Sequence, residues 1–208
     1  ASVIEFGCGT GQNIYYLRKK YPQASRIKQI KGVDPALPEN FDSSWVSEGD
    51  VITSKYPEET EKFDLLLATD VVEHIEKDVE ILREWQTYLK PGAIILITVP
   101  AFQFLWSYQD VFLEHYRRYT KSHLRNVAES AGLQTVKINY AFSWALPLVF
   151  MVRKIIKRGS KEASDDLRRA NPLINGIFRV LGKIEFILGG CPFFGTSVVG
   201  IFKVPEKQ

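Results

Sequence analysis

Ser2-Val3-Ile4-Glu5-Phe6-Gly7-Cys8-Gly9-Thr10-Gly11, followed by Gln12-Asn13-Ile14-Tyr15-Tyr16-Leu17-Arg18, decides how the rest of the chain is read. Val3, Ile4 and Phe6 form a short apolar run of the kind found in a buried parallel strand, and Ile14, Leu17 and Tyr21 recur at helical spacing. The stretch predicts a strand, a glycine-rich turn and a helix. Gly7, Gly9 and Gly11 stand on alternate positions, so the backbone can fold tightly and a ligand can lie directly on main chain. The dinucleotide spacing G-x-G-x-x-G is not met, because Gln12 and Ile14 stand where its last glycine belongs. Instead an acid, Glu5, precedes G-x-G-x-G by two residues. A carboxylate at a strand's C-terminal end, beside exposed turn amides, suits a zwitterion. The amides take its carboxylate and Glu5 attracts its ammonium group.

The whole chain sets bounds on this reading. Its 208 residues, 45% hydrophobic, fit one domain (1–208) with an ample core, and nothing in it is repeated or of low complexity. Two cysteines, Cys8 and Cys191, form neither a disulfide framework nor a zinc pattern, so a reducing, cytoplasmic setting is expected. A net charge of +3 is too small to point to DNA. No apolar run reaches the ~18 residues of a membrane span. The sequence opens directly on its first strand, so a preceding segment is expected to be missing.

The glycine turn resembles the first motif of the class I S-adenosylmethionine-dependent methyltransferases. That resemblance implies that Glu5, Gly7, Cys8, Gly9 and Gly11 hold the methionine half of the cofactor. Gln29-Ile30-Lys31-Gly32-Val33-Asp34 reads as a second strand ending in an acid, about 20 residues past the turn, where an α/β nucleotide site places a carboxylate on ribose hydroxyls. Trp45-Val46-Ser47-Glu48-Gly49-Asp50-Val51 resembles the family's third strand end, which implies that Asp50 takes the adenine amino group and Val51 meets the ring.

Phe63-Asp64-Leu65-Leu66-Leu67-Ala68-Thr69 has the composition of a central strand, and it runs into Asp70-Val71-Val72-Glu73-His74. Ligands bind beyond the carboxyl ends of strands in an open parallel sheet. Asp70, Glu73 and His74 are therefore the first polar groups placed to meet a substrate, and Thr69 and Asp70 are also expected in the cofactor set; the competing reading makes Glu73 and His74 caps of a helix starting near Asp78. This segment resembles the fourth motif of many small-molecule methyltransferases. A helix through Val79, Leu82, Trp85 and Leu89 should stop at Lys90-Pro91-Gly92, with a fifth strand from Ala93 to Pro100.

Beyond Pro100, the run from Ala101 to Thr120 resembles class I methyltransferases encoded among cell-envelope and polysaccharide genes. His115 joins Glu73 and His74 as a base candidate, with His74 first. Arg117, Arg118 and Tyr119 fall on the rim where the resemblance places the acceptor, and paired guanidinium forks suit phosphate or carboxylate. A structural ion pair is the alternative for the two arginines. Glu73, His74 and His115 also resemble, loosely, the metal ligands of small-RNA terminal methyltransferases. The later histidine pair is absent and no metal is assigned.

Residues 132–140 and 196–204 read as sixth and seventh strands, which the family pairs antiparallel at the sheet edge. The expected architecture is thus α/β, a doubly wound, Rossmann-like seven-stranded sheet, with a helical insertion at 142–195. Within it an apolar segment and a basic cluster, 142–158, have the pattern of an interfacial membrane helix, and a helical hairpin packed on the sheet or on a second subunit competes with it. The expected activity is transfer of a methyl group from S-adenosylmethionine to an oxygen or nitrogen of a small molecule, such as a lipid-linked or envelope saccharide. Its competitors are a non-catalytic cofactor-binding scaffold at the membrane surface, a metal-assisted RNA-end methyltransferase, and an aminopropyl transferase, against which Glu5 argues.

Overall fold

Val3 faces Ile30 on one side and Leu65 on the other, so the strand that opens the sequence lies in the middle of the sheet. The computed structural model describes residues 1–20, 26–38, 40–42, 46–58, 60–153 and 172–206. Its strands are β1 (Ser2–Phe6), β2 (Gln29–Val33), β3 (Val51–Thr53), β4 (Phe63–Thr69), β5 (Leu89–Pro100), β6 (Gln134–Ala141) and β7 (Ser197–Lys203). They form one seven-stranded sheet in the order β3-β2-β1-β4-β5-β7-β6. β1 to β5 are parallel, whereas β7 runs antiparallel to both neighbours. The chain leaves β1 toward β2 and later returns to its other side as β4. That reversal opens a cleft beyond the carboxyl ends of the two strands.

Alternation along β1 and β4 sorts their side chains between two cores. Ile4, Phe6, Leu66 and Ala68 face α2 (Asp78–Gln86) and α4 (Lys121–Ser130), where Leu82, Trp85, Leu124 and Ala128 are fully buried. Phe6 stacks on Trp85 with ring centroids 4.8 Å apart. Val3 and Leu67 face the other way, toward Ile14 of α1 (Gln12–Lys20) and Ile30. Gly32 permits this second layer to close, since a Cβ there would fall 2.7 Å from Ile14 Cδ1 and 2.8 Å from Cys8 Sγ. Thr120 caps α4 by accepting from the His123 amide, and Gly132 at φ 92° turns the chain into β6.

Three boundaries differ from expectation. α2 ends at Gln86, and Leu89 to Gly92 already belong to β5, because Leu89 pairs with Phe63 before a register shift. The third strand begins at Val51, where the sequence pattern had it ending; Trp45 lies outside the described residues. The insertion holds α5 (Leu146–Met151) and α6 (Pro172–Ile187); Glu185 of α6 accepts from the Ser143 amide at 3.0 Å, and the end of the insertion meets β6 where Asn139 Nδ2 donates to the Gly189 carbonyl at 2.7 Å. Of the basic cluster, Arg153 is described, and Lys154, Lys157 and Arg158 lie outside the described residues. Among the described residues no helix is long and apolar enough to cross a membrane.

Candidate active site

Glu5 and Thr69 point to the same side of the sheet as Val3 and Leu67, toward α1, and there they meet Asn13. Asn13 Nδ2 donates to Glu5 Oε1 at 2.7 Å and to Thr69 Oγ1 at 2.9 Å, and the Thr69 hydroxyl lies 3.3 Å from Glu5 Oε1. Glu5 is fully buried and its Oε2 has no partner among the described residues. Burial pushes the Glu5 carboxyl above its ordinary range, against the pull of the Asn13 and Thr69 hydrogen bonds. A buried carboxylate oxygen with nothing to accept costs about 1–3 kcal/mol, more when charged, which an ammonium group would offset. Asn13 was missed in the sequence; the alternation of β1 toward the first turn of α1 was the signal that could have found it.

Gly7, Gly9 and Gly11 all take positive φ, at 66°, 51° and 75°. Space above Gly9 is open among the described residues, with nothing of theirs within 4 Å of a Cβ placed there. Cys8 contributes backbone to the turn while its Sγ packs into the α1 layer, and burial together with the Glu5 and Asp34 charges pushes its thiol up to about 12. Asp34 reaches over the turn, its Oδ2 accepting from the Gly9 amide at 2.7 Å and its Oδ1 from the Ala36 amide at 2.9 Å.

Asp50 and Val51 are elsewhere. They stand at the N-terminal end of β3, the far end of the sheet from the cleft, since Val51 pairs with Lys31 and Thr53 with Val33. The Asp50 side chain, 1% exposed, is held by Arg18 Nε at 2.7 Å and Nη2 at 2.5 Å and by the Ile30 amide at 2.8 Å. It braces α1 and β2, which overturns the expectation that it meets an adenine. The end of β3 that adjoins the cleft is Thr53, whose carbonyl accepts from the Asp34 amide at 3.0 Å.

Beyond β4 the backbone bends through Asp70 at φ 54° into a 3-10 turn, Val72–His74. This turn carries Glu73, His74 and, from the loop after α3 (Tyr108–Phe112), His115 into one cluster. One ligand atom from each lies within 4.8 Å of the others, and the imidazoles meet edge to face with centroids 4.5 Å apart. Glu73 is buried, His115 half-buried and His74 exposed, so the cluster opens outward at one corner. Tyr116 ties the two segments, its amide donating to the Glu73 carbonyl at 2.8 Å. Burial pushes the Glu73 carboxyl up to about 8, with the Asp70 charge adding to it. Burial and then His115 lower the His74 pKa, which keeps that imidazole neutral and able to accept a proton. Asp70 sits close enough for its carboxyl, raised by burial, to feel both imidazoles.

Arg117, Arg118 and Tyr119 are structural, contrary to the expectation that they contact an acceptor. Arg118 is buried and grips Asp110 with Nε at 2.7 Å and Nη2 at 3.1 Å, while Nη1 donates to the Ala101 carbonyl. Arg117 donates to Asp78 Oδ2 at 2.7 Å and to the Glu76 carbonyl. Tyr119 is fully buried and its hydroxyl donates to the same Asp78 oxygen at 2.9 Å. Both guanidinium groups are therefore spent on the frame behind the cluster. Asp110, which the sequence reading passed over, is the hub of that frame. Its Oδ1 lies 3.0 Å from His115 Nδ1, and its Oδ2 accepts from the Ser107 amide at 2.8 Å. Burial opposes its ionisation, but the hydrogen bonds and charge of Arg118 hold its carboxyl below the usual range. Serine three residues ahead of an acid, the capping pattern, was its legible signal.

Residues 1–138 match the family described as "Methyltransferase domain". Solved structures repeat the fold. An S-adenosylmethionine-dependent methyltransferase of Archaeoglobus fulgidus superposes with a TM-score of 0.56 at 19% identity, over 97% of this chain and 85% of that one. One from Mesorhizobium loti gives 0.58 at 12% identity, over 97% and 90%. Phosphoethanolamine N-methyltransferase 2 of Haemonchus contortus, in complex with S-adenosyl-L-methionine, gives 0.56 at 14%, over 99% of this chain and 49% of that one. No curated protein sequence matches the chain.

Proposed function

This chain belongs to the family of methyltransferase domains, and from that premise we propose that it methylates an oxygen or nitrogen of a small acceptor held over Glu73, His74 and His115. The enzyme is S-adenosylmethionine-dependent, and its topology is that of the class I fold. When bound, the cofactor supplies an electrophilic methyl group on a sulfonium sulfur, open to in-line displacement by the acceptor.

The residues present fit that cofactor. The unpartnered Oε2 of Glu5 suits its ammonium group, the glycine turn its carboxylate, and Asp34 its ribose hydroxyls. With Asp50 committed to Arg18, the adenine side of the cleft falls to the end of β3 at Thr53. Thr69 and Asp70 line the cleft between the cofactor groups and the cluster. His74 is the proton acceptor for a hydroxyl acceptor, because its neutral imidazole is the exposed member of the cluster. His115 packs edge to face against its ring, with centroids 4.5 Å apart. Alignment and exclusion of water supply the remainder.

The observation that carries this reading is the gathering of Glu73, His74 and His115 beyond β4, at the place where a parallel sheet binds ligands. A lipid-linked or envelope saccharide is the acceptor class we favour. Its support is the insertion, where Leu148, Phe150, Met151, Ile177, Val180 and Ile184 are exposed, a surface suited to peripheral contact with lipid or with a second copy. Incubation of the protein with isotopically labelled S-adenosylmethionine and cell-envelope extract should yield a labelled saccharide lipid by mass spectrometry. Label found only in other small molecules would remove the saccharide assignment, and no labelled product would remove the acceptor reading.

A further inference from the structure

We propose that Glu73, His74 and His115 bind a divalent first-row transition-metal ion, with an open coordination position facing the acceptor. The three side chains bring one carboxylate oxygen and two imidazole nitrogens within 4.8 Å of one another, close enough for one ion to touch all three. They are the set of three such side chains found together among the described residues.

Two further observations point to an ion rather than to a chance meeting. Glu73 is 1% exposed, and its Oε2 has no hydrogen-bond partner among the described residues. Its neighbours in the cluster are imidazoles, one of which is already occupied on its other side. His115 Nδ1 lies 3.0 Å from Asp110 Oδ1, which fixes the ring and leaves Nε2 as the free donor atom. A carboxylate behind an imidazole is the arrangement that orients a metal-binding histidine and raises its basicity. Asp110 is itself held from four directions, by Arg118, Arg153, the Ser107 amide and His115. The ring it positions is therefore rigid.

The ligand set selects the ion. Two imidazoles and one carboxylate favour manganese, iron, cobalt, nickel or zinc over magnesium or calcium, which prefer all-oxygen shells. Three protein ligands leave room for at least one more, and the exposed edge at His74 is where it would enter. The fourth ligand would be an oxygen of the acceptor, whose hydroxyl would give up its proton to water at the exposed His74 edge more readily on an ion than when free, leaving the oxygen to attack the methyl group as the sulfonium sulfur departs as a neutral thioether. This deepens the function proposed above, and rests on it for the acceptor but not for the ion. Where the ion is present, His74 is one of its ligands rather than a free base.

The test uses the protein without an affinity tag, titrated with cobalt chloride and followed by visible absorption and by calorimetry, with S-adenosylmethionine affinity measured on the same preparation. One equivalent of cobalt should bind, with absorption bands of a nitrogen-containing low-coordinate site. His74→Ala, at an exposed position, should weaken cobalt by more than tenfold and leave cofactor affinity near wild type. Asp110→Asn should weaken it about 10–100-fold, as loss of an orienting carboxylate does. Cobalt binding that is absent, or unchanged in His74→Ala, overturns the ion even if the cofactor binds. Loss of cofactor binding by the unaltered protein would instead overturn the function proposed above.

Discussion

A Cβ on Gly7 would lie 2.3 Å from Cγ2 and 2.9 Å from Cγ1 of Val71, so the glycine turn and the segment beyond β4 touch at a point with no room for one methyl group. Gly7 also stands at φ 66°, where any other residue is strained. Gly7→Ala should therefore push Val71 away and carry the Glu73 and His74 turn with it. The expected result is a loss of both stability, by about 2–4 kcal/mol from strain and overpacking together, and cofactor affinity. Chemical unfolding and calorimetry check it. Unchanged affinity would separate the two segments.

Asp34 braces the turn through the Gly9 amide and is the carboxylate placed for ribose hydroxyls. Asp34→Ala should weaken S-adenosylmethionine about 10–100-fold, the equivalent of losing charge-assisted hydrogen bonds. Calorimetric titration gives the answer, and affinity like that of wild type would remove Asp34 from the ribose role.

His74 makes a different prediction because it is exposed and lies beyond the cofactor groups. His74→Ala should lower turnover about 10²–10⁴-fold with cofactor affinity retained. A matching loss of cofactor affinity would assign His74 to the frame instead.

Tyr119 and Arg117 converge on one oxygen of Asp78. Tyr119→Phe removes a buried donor and should cost about 1–3 kcal/mol in urea unfolding. Turnover per folded molecule should stay near wild type, which a substrate-binding tyrosine would not allow.

Asp64 gives the fold an acid-side dependence. Lys90, first, and then the Ser2 amide lower its carboxyl from 3.8 to about 2. A carboxyl depressed on folding adds stability that is fully present above the unfolded value, near 3.8, and is lost as pH falls toward 2. With the Asp64 side chain 38% exposed, water screens the pair and the effect is small. Thermal unfolding should show Asp64→Asn less stable than wild type at neutral pH, with the difference closing near the acid limit. A constant difference would assign the loss to packing.

The sheet was legible because its evidence is local. The strand-turn-helix at Glu5 to Leu17, the apolar run at β4 and the alternation at 134–141 each name an element without reference to any other. Asp50 was misread because family order placed it at a strand end, whereas the register of β3 on β2 puts it at the opposite end, beside Arg18. Arg117 and Arg118 were misread for a related reason. Two adjacent guanidinium groups look alike in sequence, and only packing shows one under the rim with Asp110 and the other on Asp78. His74 and His115, 41 positions apart, could be named separately as candidates, but their edge-to-face contact depends on the Tyr116 amide reaching the Glu73 carbonyl.

The lone oxygen of Glu5 has a consequence for the life of the molecule. It sits beneath the turn as a standing penalty that a guest cation relieves, so the filled protein is the better folded one and the vacant protein the more easily opened. Proteases in a cell act on what opens. The abundance of this chain should thus track the supply of its own methyl donor, rising when the donor is plentiful and falling when it is scarce, without any dedicated sensor.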